Sequence, residues 1–105
     1  MSLSAEFEKL AQLLEQLIAI LEEAEDTFWC AYLKRGLSQV QAHKLSGATF
    51  VLGCYAGAES FSDLVLAQQL QETDRLRFDN LNNRFGHLRT AVFESANLIA
   101  SRRLW

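Results

Sequence analysis

The sequence predicts an all-α fold: one small helical bundle with two long helices and a kinked middle helix. Proline is absent and glycine occurs five times in 105 residues, so little forces the backbone out of helical geometry. Apolar side chains recur in alternating steps of three and four over two long stretches, the spacing of one helix face. Half of the residues are apolar and 22% are charged, a balance that suits a packed interior and not a disordered chain. At this length one hydrophobic core is expected, so residues 1–105 are taken as a single helical domain that needs neither a metal nor a disulfide.

The first long helix is expected from Ser4 to Arg35. Its inward stripe is Phe7, Leu10, Leu14, Leu17, Leu21, Ala24 and Phe28, widened by Ile18 and Trp29 and continued by Tyr32 and Leu33. Arg35-Gly36 reads as a C-terminal stop, a basic last turn followed by glycine. The acidic cluster Glu22, Glu23, Glu25 and Asp26 marks a bend within this helix. Ser38-Gln39-Val40-Gln41 has the form of a capping box and opens the middle segment. Ser46-Gly47 offers a restart, so either one kinked helix or two short ones cover 39–55, with Ala48, Val51, Leu52 and Tyr55 on one face.

The best break after Gly36 is 56–59. Ser60 or Ser62 then caps a turn or short helix that Phe61, Leu64, Val65 and Leu66 anchor on the core. The last helix is expected to begin within 71–74 and to reach about Arg102. Its stripe is Phe78, Leu81, Phe85, Leu88, Val92, Ala96 and Ile99. Gly86 lies on the flank of that stripe, where a close helix crossing is the expected reason for it.

Charge and cysteine usage narrow the function. Ten basic and thirteen acidic residues give a net charge of −3, which offers no long-range attraction to a phosphate backbone, so no nucleic-acid partner is expected. The N-terminus has no basic region ahead of an apolar core, and the longest apolar run is far short of the roughly 20 residues of a membrane span. Neither a signal peptide nor a membrane partner is expected. Cys30 and Cys54 form no ligand spacing and read as reduced, buried thiols of a cytoplasmic protein; a disulfide stays open if their helices are neighbours.

Catalytic constellations are missing. The two imidazoles, His43 and His87, have no partner four residues away, and a zinc site would have to recruit Cys54 or Cys30 from a distance. No Glu-x-x-His occurs, which removes the di-iron bundle motif. Phosphate-loop, dinucleotide and nucleophile-elbow patterns are absent. No metal, no cofactor and no catalytic residue is expected, and the enzymatic reading gives way to a binding one.

Two groups of residues stand out. Gly57, Glu59, Ser60, Ser62 and Asp63 form the one polar, glycine-containing segment; they make either a helix corner or a loop that meets a ligand or partner. Glu22, Glu23, Glu25 and Asp26 form an acidic surface, either simply solvated or a docking patch for a protein.

The segment Tyr55-Ala56-Gly57-Ala58-Glu59-Ser60-Phe61-Ser62-Asp63-Leu64-Val65-Leu66 resembles the Gly-Gly-Met-Gly-Ser-x-Asn-Asp-Leu-Val-Leu signature of a family of small bacterial helical proteins. The likeness takes in about residues 25 to 100, with Trp29, Tyr32 and Leu33 as the upstream aromatic helix and Gly47 as the glycine before the signature. Gly57, Ser60, Asp63, Leu64, Val65 and Leu66 keep the pattern. Ala56, Ala58, Glu59 and Ser62 replace its glycine, methionine, glycine and asparagine. Analogy with small acidic bacterial immunity proteins implies a toxin as the protein partner.

The expected function is therefore non-enzymatic protein binding of the toxin-neutralising kind. The acidic cluster and Glu59 would steer the encounter, and exposed aromatic side chains, Trp105 among the candidates, would supply affinity. One alternative is a small-molecule-binding or enzymatic module that uses the loop at 57–63 with His43. Another is a homodimeric structural protein.

Overall fold

The computed structural model describes residues 2–55 and 61–102, and among these it is a five-helix bundle with no β structure. The helices are α1 (Leu3–Glu23), α2 (Thr27–Gln41), α3 (Leu45–Gly53), the single turn α4 (Leu70–Thr73) and α5 (Arg75–Arg102); a 3-10 turn covers Phe61–Asp63.

Three of the five starts, those of α1, α2 and α5, have a local side-chain cause. Ser2 accepts a hydrogen bond from Ala5 N at 3.1 Å and opens α1. Asp26 Oδ1 accepts from Trp29 N at 3.1 Å and opens α2, and Asp74 Oδ1 accepts from Arg77 N at 3.2 Å and opens α5. These are N-caps, each satisfying an amide that the helix cannot.

The expected helix over 4–35 is two helices. Glu25 has a φ of 61°, Glu25 N donates to Glu22 O at 3.0 Å, and Asp26 N donates to Leu21 O at 2.9 Å. That pair of bonds is the Schellman closure of a helix C-terminus. The next joint repeats it: His43 has a φ of 55°, with His43 N on Val40 O at 2.9 Å and Lys44 N on Gln39 O at 3.1 Å. Gly36 is thus no stop and Ser38 no cap, for both lie inside α2, and His43 sits in the joint beyond that helix.

The joint at 24–26 also changes the face that α2 turns inward. Phe28 is 68% exposed, and the core positions are instead Cys30, Leu33 and Val40. In α5, by contrast, Phe78, Leu81, Phe85, Val92, Ala96 and Ile99 are all buried, as an unbroken period requires.

The helices close a ring in the order α1, α2, α3, α5, with α4 packed on α5. α1 and α5 are antiparallel, since Glu6 meets Arg102 at one end and Glu23 meets Arg84 at the other. α2 and α3 make a tight hairpin through glycine. A methyl on Gly47 would lie 2.7 Å from Val40 N, and one on Gly36 would lie 2.9 Å from Val51 Cγ2. Gly86, where a crossing was expected, has nothing within 4 Å of that position.

Candidate functional site

The acidic cluster falls on the joint between α1 and α2, and the joint distributes it. Glu22, Glu25 and Asp26 line a groove of about 500 Å³ together with Leu21, Thr27, Cys30, Ala31 and Lys34. Glu23 points away from it to α5, where its Oε2 pairs with Arg84 Nη1 at 3.3 Å. Glu22 Oε2 pairs with Lys34 Nζ at 3.4 Å, and Asp26 caps α2. Glu25, fixed in left-handed backbone at the turn, has no ion pair among the described residues. Both ion pairs are solvent-exposed, so each contributes only about 0.2–1 kcal/mol and neither sets the fold. The groove thus combines three carboxylates and the Lys34 ammonium with apolar lining from Leu21, Cys30 and Ala31.

Phe28, which follows the groove-lining Thr27 in sequence, stands out from the first turn of α2. Its ring meets Trp29 edge-on at 5.0 Å. Trp29 in turn packs on Tyr32 at 5.6 Å and on the fully buried Phe61 at 5.2 Å. An exposed aromatic side chain is thus backed by a rigid aromatic stack reaching into the core, which limits its freedom in advance of any contact.

Of the polar segment, Gly57, Glu59 and Ser60 lie outside the described residues, as does Trp105. Ser62 and Asp63 are exposed on the 3-10 turn. Ser62 Oγ donates to Tyr55 O at 3.4 Å. Phe61 and Leu66 are buried as expected, but Val65 is turned to solvent.

What holds 61–66 in place was not legible in advance. Arg89 Nη1 donates to Phe61 O and to Leu64 O, both at 3.2 Å, and the guanidinium lies 4.7 Å from the Phe85 ring centre. Asn82 Oδ1 accepts from Leu66 N at 2.8 Å, while its Nδ2 donates to Leu66 O at 3.0 Å and Phe78 O at 2.9 Å. Phe61 N donates to Cys54 O at 3.0 Å, which ties this segment to the end of α3. The one available signal was that Asn82 and Arg89 are seven residues apart, on one flank of the α5 stripe.

The remaining candidates stay apart. No group of three or more His, Cys, Asp or Glu side chains among the described residues is arranged to hold a metal. His43 is exposed and stacks on Phe7 at 5.3 Å; His87 is exposed beside Ile20, Arg84 and Leu88. Both cysteines are buried free thiols. Burial pushes the Cys54 thiol from 9.0 up to about 12, so it is neither a thiolate nucleophile nor a ready metal ligand near neutrality. Burial, with a smaller push from Cys54, also raises Tyr55, whose hydroxyl donates to Arg89 O at 2.7 Å. No helix among the described residues is long and apolar enough to cross a membrane. No protein-family model, no curated protein and no solved structure matches the chain.

Proposed function

We propose that this chain is a non-enzymatic protein-binding module that presents the joint between α1 and α2 to a basic protein partner. The observation that carries the reading is that Glu22, Glu25 and Asp26 outnumber Lys34 around one groove with apolar lining, while the first turn of the same α2 carries the exposed, backed ring of Phe28. Carboxylates around the groove steer a cationic partner, and a desolvated aromatic anchor supplies the larger share of affinity. The two long helices with a broken middle form the rigid scaffold. The signature resemblance extends the proposal to toxin neutralisation in a bacterial cytoplasm.

The test is kinetic. A partner captured from a bacterial lysate and purified is measured against the wild type and against Glu22→Lys/Glu25→Lys at low and physiological salt. Association of the double variant is expected to slow by about tenfold or more at low salt, with the gap narrowing as salt rises. Phe28→Ser is expected to speed dissociation instead. Association that ignores both the charge reversal and the salt concentration sinks the reading.

A further inference from the structure

A second depression, of about 400 Å³, lies where the end of α3, the 3-10 turn and α5 meet. Tyr55, Ser62, Arg89, Thr90 and Phe93 line it. Its size is within the range of small-ligand sites. Three features give it a chemical preference.

The first is Arg89. Its charge faces two backbone carbonyls and one ring, and no carboxylate among the described residues lies within ion-pair distance. Only Nη1 is committed to those carbonyls, and the guanidinium edge that remains is not sealed from solvent. A half-buried guanidinium that is clamped and lacks a counter-ion is a preorganised site for a carboxylate, which it can meet through two parallel N–H donors. The second feature is an aromatic wall. The rings of Tyr55 and Phe93 lie 5.1 Å apart, and Phe93 is 41% exposed. The third is the pair of hydroxyl-bearing side chains, Ser62 and Thr90, at the margin.

From the juxtaposition of Arg89 with the Tyr55–Phe93 wall, we infer that this depression binds a small organic carboxylate with an aromatic body, its carboxylate on Arg89 and its ring against Phe93. The inference is independent of the acidic joint, which stands on other helices and attracts the opposite charge.

Amide chemical shifts of the 15N-labelled protein, followed during titration with benzoate, provide the test, with uncharged benzamide and ringless acetate as comparisons. Saturable shifts at Ser62 and at 89–93 are expected for benzoate, with benzamide and acetate each weaker by about tenfold, since each lacks one of the two contacts. Arg89 also anchors the turn, so the discriminating variant is Phe93→Ala, which leaves that anchor intact. It is expected to weaken benzoate by about three- to tenfold and to leave acetate unchanged. The inference is overturned if benzoate gives no saturable shifts, if benzamide matches it, or if Phe93→Ala binds benzoate as the wild type does.

Discussion

Among the described residues, glycine and left-handed backbone fall at different positions. The positive-φ positions among the described residues are Glu25, His43 and Ala67, while Gly36, Gly47, Gly53 and Gly86 all lie inside helices. What glycine does at each helical position follows from what a methyl group would touch. At Gly47 it would strike backbone, so Gly47→Ala is expected to cost about 1–3 kcal/mol through forced separation of α2 from α3. At Gly86 it would meet nothing, so Gly86→Ala is expected to stabilise by about 0.5–1 kcal/mol by removing backbone entropy from the unfolded chain. Urea midpoints moving in opposite directions would bear this out. Cys54 gives a pH prediction at the same scale. Its folded pKa of about 12 stands above the ordinary 9.0, so above 9 the unfolded chain releases a proton that the folded chain retains. Stability is then complete below about pH 9 and declines as pH rises toward 12, with the raised Tyr55 acting in the same direction. A flat urea midpoint between pH 8.5 and 11 would contradict it.

Between elements, the contrast of α1 with α5 shows what periodicity can and cannot reveal. The α5 stripe was legible because no joint interrupts it from Phe78 to Ile99. The α1 stripe continued on paper through Leu21, Ala24 and Phe28, yet the three-residue joint re-phases the chain and leaves Phe28 outside. The joint was visible only as acidic residues. Asp26 is a good N-cap in any context, but Glu25 in left-handed backbone has no compositional mark as glycine would. Asn82 and Arg89 were illegible for another reason: the partners through which they hold the 61–66 segment are carbonyls and an amide 16 to 28 residues away, a relation that spacing along one helix cannot encode. Asn82→Ala is expected to destabilise by about 1–3 kcal/mol, because Leu66 N loses its acceptor and Leu66 O loses the Asn82 amide as donor. Faster hydrogen exchange at Leu66 with the core of α5 still protected would place the damage in that segment.

Across the whole molecule, the ring of α1, α2, α3 and α5 is closed at one end by Glu6 and Arg102. Glu6 Oε2 lies 2.7 Å from Arg102 Nη1 in a contact that is ionic and outside hydrogen-bond geometry; the glutamate side chain is only 7% exposed against 41% for the arginine. A carboxylate that deep depends on its counter-charge. Arg102→Gln is expected to cost about 1–3 kcal/mol, and the double variant Glu6→Gln/Arg102→Gln to recover part of that loss, because a neutral amide tolerates the site better than an orphaned anion. Equal urea midpoints for Arg102→Gln and the double variant would contradict that recovery. The all-α class could be foreseen, whereas this clasp, joining residues 96 apart in sequence, could not.

The contact of Trp29 with Phe61 has a practical corollary. In a Trp105→Phe chain, Trp29 is the sole indole, and its ring bridges the solvent-facing Phe28 and the innermost side chain of the 61–66 segment. Its emission colour and lifetime then form a built-in gauge: on the proposed function, partner engagement at the acidic joint would perturb it from one side, and any unseating of Phe61 would perturb it from the other.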